Sequence, residues 1–399
     1  MKDKYKRNIF ALTIHLMFSK RITGPVMMLF YQSFGLNFSQ IGTLSSIAWL
    51  TDAAFEINGG AFSDVYGRKK ASLVYAFLGM LGMFLFVVGN SFGYFAAASA
   101  IYGISIAVGS GNASALLFDT LKMLKLESQY KKFSGKMRFP AKIMNGLIFL
   151  VLPALLAQNI RFPFALGFIF YLLSFLTAAF FIVEPPKRKN ARHIKTLETI
   201  ANSLKEIWRS KKIKQIIFVD MVFSGFSILC YEYFQPIISA SHIPLIYFGV
   251  VYAVGRLFEA AGSLLLHKFD HSNRKLMSSL SAMLLLSLAG FTLFHSWVLI
   301  IFIFFSGFTA GAKEVVISDL LNKNISSKNR TTIMSTNNLF DSLFVSILFF
   351  VFGHVSDMVG VQGMFLWALI SFTVVSIVFQ FVIMNKNRRS YGSLGNSAK

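Results

Sequence analysis

The chain has 399 residues, of which 55% are hydrophobic and 14% charged, and its mean hydropathy is +0.61. Because an ordinary soluble domain carries about 25% charged residues, this composition argues against a soluble globular protein and indicates a membrane protein. The formal net charge of +22 would suit nucleic-acid binding, but the placement of the charges points elsewhere. A single cysteine, Cys230, excludes an internal disulfide.

Apolar stretches recur along the chain, each near the roughly 20 residues that one helix needs to cross a bilayer. We predict helices because an unpaired backbone is too costly in lipid, and the stretches are too long for barrel strands. The predicted fold class is therefore an all-α membrane protein with twelve transmembrane helices. These predicted spans are 8–33, 41–66, 71–90, 94–119, 138–158, 162–183, 213–240, 244–267, 275–294, 297–320, 331–355 and 362–384.

Positive charge collects at one end of the predicted helices. The N-terminal segment, alternate connections and the C-terminal tail hold every Lys and Arg apart from Lys20, Arg21, Lys142, Arg161, Arg256 and Lys313. Because positive residues stay on the cytoplasmic side, both termini and the long middle connection are predicted to lie on the cytoplasmic side of the cell membrane. The basic connections also suit contact with anionic lipid head groups. The charge is thus a topology signal, and no nucleic-acid partner is expected.

The layout divides into six spans, a basic connection and six more spans. We place the first unit at 1–184, the cytoplasmic linker at 185–212 and the second unit at 213–399 with its basic tail. Within the linker, apolar residues from Ile194 to Trp208 recur at helical spacing. They are compatible with an amphipathic helix on the membrane surface. An ordinary linker with some helical character explains the same pattern.

The stretch GAFSDVYGRKK, residues 60–70, joins the second and third predicted helices. It has a glycine, three residues, an aspartate, two residues, a glycine and then basic residues. With twelve spans and a six-plus-six division, it resembles the signature loop of the major facilitator superfamily. YQSFGLNFSQIG, YEYFQP and NRTTIMS are similar to other stretches of that superfamily. The resemblance implies two six-helix bundles that rock about a midplane site, a secondary transporter without cofactor or catalytic residues.

The resemblance also implies gating roles in this loop. Gly60 would let another helix approach closely, and Gly67 would end the second helix. Asp64 would face the start of the eleventh helix, near Arg330, when the cytoplasmic side is shut. Arg68 would reach Asp119 at the end of the fourth helix. The alternative is that Asp64 only anchors a tight turn.

Charges inside the predicted spans are costly unless they face a cavity or a partner. We assign a substrate and proton cavity to Arg21, Asp52, Glu56, Arg256, Glu259 and Asp341. Arg21 and Asp52 lie at similar depth and are predicted to pair. Asp220, Glu232, Lys313 and Glu314 are further intramembrane charges without an assigned role. The alternative for all of them is that they are paired charges which fix helix packing.

The sequence contains no H-E-x-x-H, P-loop or G-x-S-x-G motif, so no enzyme and no metal site is predicted. The resemblance to bacterial drug and metabolite efflux members implies a monomer that exports a small drug-like molecule or metabolite by proton-coupled antiport. Ser105 stands where drug antiporters often carry an arginine, and the fifth helix lacks their glycine-proline stretch; both departures weaken that assignment. A proton-coupled importer and a non-transporting receptor remain the alternatives.

Overall fold

The computed structural model describes residues 2–19, 21–186, 204–265, 273–325 and 330–392. Across these ranges the chain is helical and contains no strand. Two single 3-10 turns, Gly24–Val26 and Glu127–Gln129, accompany the longer helices. The helices are α1 (Lys2–Phe18), α2 (Met27–Ser33), α3 (Phe38–Tyr66), α4 (Arg68–Val88), α5 (Phe92–Gly109), α6 (Asn112–Leu124), α7 (Tyr130–Gln158), α8 (Phe162–Phe180), α9 (Lys211–Ala240), α10 (Ile246–Leu265), α11 (Asn273–Leu293), α12 (Leu299–Asn324) and α13 (Arg330–Gly392).

Within the described residues, nine helical stretches are long and apolar enough to cross a membrane. One of them, Phe92–Leu124, joins α5 and α6, and another, Ile333–Ile377, lies within α13. At Gly360 the φ angle of α13 is 74°, so two helices meet there at a kink. The predicted eleventh and twelfth spans fall on either side of this glycine. The nine stretches leave out α1, α2 and α3.

The first predicted span, 8–33, is not one helix. α1 ends at Phe18, and α2 begins at Met27 after the 3-10 turn. Pro25 lacks an amide hydrogen and disfavours helical geometry at the residue before it, which explains the interruption. Arg21 therefore lies in a non-helical segment rather than on a helix face. Most of the linker that was predicted as an amphipathic helix, residues 187–203, lies outside the described residues.

Helices of the first half, residues 2–186, pack mainly on one another, as do those of the second half, residues 204–392. Two long helix pairs join the halves: α3 runs along α13, and α7 runs along α10. We call the end of the molecule with the α3–α4 connection the basic face, and the end with the α2–α3 connection the far face. The functional site lies where these interhelix seams meet the break in the first span.

The far face is closed by contacts between the halves. Asp357 of α13 accepts hydrogen bonds from the backbone amides of Phe38 and Ser39 at 2.8 Å each, which caps the start of α3. One turn further, Gly42 of α3 lies against the backbone of α13 at Gly353. Gly249 of α10 packs in the same way on the backbone of α7. Small residues permit this close backbone approach in a membrane protein.

Candidate functional site

A cavity of about 390 Å³ lies between the two halves. The first half contributes Arg21, Asp52 and Tyr102 to its wall, and the second half contributes Glu232, Arg256 and Glu259. Four of these six were predicted as cavity residues together with Glu56 and Asp341. The wall therefore carries both signs of charge in a setting where an unpaired charge is costly.

An ion pair between Arg21 and Glu232 crosses from one half to the other. The Arg21 Nη2 atom lies 2.8 Å from Glu232 Oε1, and the two side chains are 25% and 15% exposed. The Arg21 guanidinium also lies over the Tyr102 ring, 5.6 Å from its centroid. This placement adds a cation–π attraction to the ion pair. Arg21 is thus stabilised by Glu232 of the second half and by Tyr102 of the first half.

The predicted pairing of Arg21 with Asp52 is wrong. The break after α1 turns Arg21 toward Glu232 of α9, while Asp52 lies on α3 and faces α13. Asp52 Oδ2 accepts a hydrogen bond from Ser342 at 2.8 Å, and Asp52 Oδ1 has no partner among the described residues. Equal depth along two helices did not identify the partner, because depth says nothing about the direction of a side chain.

Arg256 and Glu259 form a second ion pair within one helix. They lie three residues apart on α10, where side chains at this spacing are neighbours. The Arg256 guanidinium stacks over the Tyr231 ring, 4.3 Å from the centroid. Glu259 is therefore compensated locally, whereas Asp52 has no basic partner among the residues that the structure describes.

Gln235 closes the cavity toward the far face. Its Nε2 atom donates to Gly24 O and to Tyr252 Oη at 2.8 Å each, and its Oε1 atom accepts from the Met28 amide at 3.1 Å. One fully buried amide thus joins α9, α10 and the broken first span. Sequence reasoning missed Gln235. The available signal was a polar residue before Pro236 inside an apolar span.

Glu56 and Asp341 lie outside the cavity wall, contrary to their assignment. Glu56 Oε1 accepts from Ser110 Oγ at 3.1 Å and from Asn338 Nδ2 at 3.2 Å, between α3 and α13. Asp341 points into the second half, where Ser224 donates to its Oδ2 atom at 3.2 Å. Both carboxyl groups lie at interhelix contacts rather than in the space that a substrate could fill.

In the signature loop, Arg68 contacts the two acids that the resemblance connects with gating. Its Nη2 atom lies 2.6 Å from Asp64 Oδ1, and its Nε atom lies 3.7 Å from Asp119 Oδ2. Asp64 remains 48% exposed. Glu184, which sequence reasoning missed, accepts hydrogen bonds from the amides of Arg68 and Lys69 at 2.8 and 2.6 Å. It caps the start of α4 with a negative charge, as the helix dipole favours.

The two glycines of the loop behave differently from each other. Gly67 has φ 108°, a conformation that other residues rarely adopt, and a Cβ there would lie 3.0 Å from the Glu184 carboxylate. The prediction that Gly60 admits a close helix is wrong for this arrangement, because a Cβ at Gly60 would meet nothing within 4 Å. The neighbouring Gly59 makes the close contact instead, on the backbone of α5 at Ala107. One residue of helical rotation separates the two positions.

Across the described ranges, no group of three or more His, Cys, Asp or Glu side chains is placed to hold a metal ion.

A sequence profile of the Major Facilitator Superfamily matches residues 9–289. The chain belongs to the Major Facilitator Superfamily. It is therefore a multi-pass membrane protein and a transporter rather than an enzyme.

An uncharacterised MFS-type transporter of Bacillus subtilis (strain 168), YxaM, is 24% identical over 247 residues. That match covers 59% of this chain and 59% of the relative. The solved nucleoside transporter NupG shares the fold at a TM-score of 0.77 with 14% identity, over 96% of this chain and 98% of its own. A bacterial homologue of the human lysosomal transporter Spinster, in an inward-facing and unoccupied conformation, has a TM-score of 0.69 with 15% identity, over 96% of each chain.

Proposed function

We propose that this chain is a secondary active transporter that exports a small drug-like molecule or metabolite from the cell in exchange for protons. It acts as a monomer of twelve spans, with six-helix bundles at 1–184 and 213–399 and a cytoplasmic linker at 185–212. The protein lies in the cell membrane, with the basic face and both termini on the cytoplasmic side. Rocking of the bundles exposes the cavity to each side in turn.

The observation that carries this proposal is the cavity between the halves, whose charged wall comes from both. The Arg21–Glu232 ion pair spans the seam. Moving the halves apart would break this pair, and neutralising either residue would remove an attraction between the halves. Closure at Gln235 and Asp357 leaves the basic face as the side of entry in this arrangement. Alternation then requires those far-face contacts to open and the basic face to close.

The loop at the basic face supplies the closing contacts. Gly60 faces open space and Asp64 is half exposed, so this surface of α3 is free to receive the start of α13. The amide groups at that helix start would attract the Asp64 carboxylate. Arg68, held by Asp119, positions Asp64, and Gly67 fixes the turn behind it.

Buried carboxylates are natural proton carriers, because the charged form is costly away from water. Asp52, Glu56, Glu259 and Asp341 are the candidates. Glu259 is neutralised by Arg256, which favours the other three, and we test Asp341 and Glu56 first. Exchange follows if substrate and proton favour opposite arrangements of the halves; joint binding would give import.

Everted membrane vesicles test the proposal. Nucleosides and short peptides, cargo classes named for solved structures with this fold, enter the probe panel beside lipophilic cationic dyes. Vesicles acidified inside should accumulate a probe, and Asp341→Asn or Glu56→Gln should abolish the dependence on the gradient. The exposed Asp319→Asn serves as the matched control. Uptake indifferent to the gradient would defeat proton coupling.

A proton-coupled importer is the second candidate. Ser105 in place of the antiporter arginine weakens the case for antiport, and its hydroxyl donates to the backbone of Tyr75 at 2.8 Å. Accumulation of a probe by intact cells at acidic external pH would identify import. A receptor would bind a probe without any flux.

A further inference from the structure

A buried ionic cluster lies outside the cavity, between α9, α12 and α13. Lys313 Nζ lies 2.5 Å from Asp220 Oδ1 and 2.6 Å from Ser224 Oγ. Because Ser224 accepts from the ammonium, its own hydrogen can donate to Asp341 Oδ2 at 3.2 Å or to Asp220 Oδ1 at 3.4 Å, and the shorter contact is the one to Asp341. Asn337 Nδ2 donates to the second oxygen of Asp220 at 2.7 Å. Lys313 thus donates to two acceptors, and each oxygen of Asp220 has a donor.

Two oxygen atoms of this cluster are not satisfied. Asp341 Oδ1 and Asn337 Oδ1 are both buried and find no hydrogen-bond partner in the part of the chain that the structure describes. The two residues lie one helical turn apart on α13, so their side chains are neighbours. Each unpaired buried acceptor would destabilise the fold, because it has lost its hydrogen bonds to water and gained none in the protein. A single proton on Asp341 turns one acceptor into a donor and can satisfy both.

The charges of the surroundings point the same way. One ammonium, Lys313, faces two carboxyl groups, Asp220 and Asp341, and it pairs with Asp220. The part of the neighbouring helix α3 that contacts this stretch of α13 adds the acids Asp52 and Glu56, and α11 carries no ionisable side chain between Leu276 and Leu293. An ionised Asp341 would be an uncompensated buried charge. A metal cation bound at Asp341 would be repelled by the ammonium of Lys313, whereas a proton bound there makes Asp341 neutral.

We infer that Asp341 and Asn337 form a proton-binding site separate from the substrate cavity, and that α13 transmits the proton's arrival or loss to the seam with α3. The next residue after each of them faces that seam. Asn338 donates to Glu56 Oε1 at 3.2 Å, and Ser342 donates to Asp52 Oδ2 at 2.8 Å. One turn of α13 therefore holds the proton site on one side and the contact between the halves on the other.

Loss of the proton leaves a carboxylate at Asp341, which draws the ammonium of Lys313 through Ser224 toward α13. Any movement of this turn changes its contacts with Asp52 and Glu56, because the same backbone carries both sets of side chains. The inference rests on the proposed proton-coupled transport and specifies it: substrate and proton occupy different sites and are coupled through α13. They need not compete for one carboxylate.

Infrared difference spectra of the purified chain in lipid nanodiscs, recorded during a pH titration, test the proton site. Wild-type protein should show the carbonyl stretch of protonated carboxyl groups, of which Asp341→Asn removes one component and Asp319→Asn retains it. Asn337→Leu should shift this band to higher frequency, since the acceptor of the proton is lost. It also keeps the test decisive if Asp341→Asn fails to fold. An unshifted band in Asn337→Leu, or loss of the band on adding sodium at constant pH, overturns the site.

Spin labels at the exposed positions Tyr66 of α3 and Met334 of α13 test the transmission. Their distance should change between acidic and alkaline buffer in wild type and stay at its acidic value in Asp341→Asn, because asparagine is neutral at both pH values. A variant that follows pH as wild type does overturns the inference.

Probe transport separates this inference from the proposed function. If a proton gradient drives wild type and Asp341→Asn equally, the site is overturned and proton-coupled transport stands. If wild type ignores the gradient while the Asp341 band persists and the labels still respond to pH, the proposed coupling is overturned and the proton site is supported.

Discussion

A methyl group at Gly42 should open the far face. A Cβ at this position would lie 2.9 Å from the Gly353 Cα atom and would also meet the Phe349 carbonyl oxygen. Both partners are backbone atoms of α13, so no rotation of a side chain relieves the clash. Gly42→Ala therefore forces α3 and α13 apart where they seal the far face.

The displacement can be estimated from these contacts. A carbon–carbon contact needs about 3.5 Å, so the backbones must separate by roughly 0.6 Å at the Gly353 contact alone. Overpacking of this kind costs about 1–3 kcal/mol. If the cost falls only on the arrangement with a closed far face, the ratio of open to closed molecules rises about 5-fold to 150-fold.

Spin labels at Ser33 and Met358, near the far-face ends of α2 and of the first part of α13, would report this change as a longer and broader distance distribution. Gly146→Ala on α7 is the control, since a Cβ there meets nothing within 4 Å. It should leave the distribution unchanged and slightly favour the helix. If Gly42→Ala matches wild type and Gly146→Ala, the close contact does not govern opening of the far face.

The ion pair across the seam predicts that Arg21→Gln and Glu232→Gln each lower the melting temperature by leaving a partly buried charge without its partner. The double variant should lose less than the sum, with a coupling of about 0.5–3 kcal/mol, and strict additivity would show that the pair contributes nothing. Asp64→Asn should barely change stability, because an exposed pair is worth about 0–1 kcal/mol. It should nevertheless lengthen the distance between the basic-face labels by removing an attraction of about 0.3–2 kcal/mol to the start of α13, and an unchanged distribution with normal transport would favour the turn-only interpretation. In a cysteine-free background, single cysteines in 34–40 should label from outside the cell and those in 185–195 from inside, and the reverse would overturn the orientation.

The class of this protein, its helical character and its family follow from the sequence. Hydropathy and helical length are local properties, so a stretch such as 71–90 is recognisable as a span before any packing is known. The signature loop is equally local as a sequence pattern, since its glycines, Asp64 and Arg68 all fall within residues 60–68. The family match over residues 9–289 confirms the family that this motif and the number of predicted spans indicated.

The partners of the intramembrane charges were decided by the tertiary structure. Counting residues gives the height of a side chain along a helix at about 1.5 Å per residue, but not the direction in which it points. One residue turns a helix by about 100°, which is the difference between Gly59 against α5 and Gly60 in open space. For the same reason, the depth of Asp341 along its helix did not show that its side chain lies outside the cavity. The break before Pro25 places Arg21 beside Glu232 rather than Asp52. Helix rotation is fixed only when all the neighbouring helices are in place.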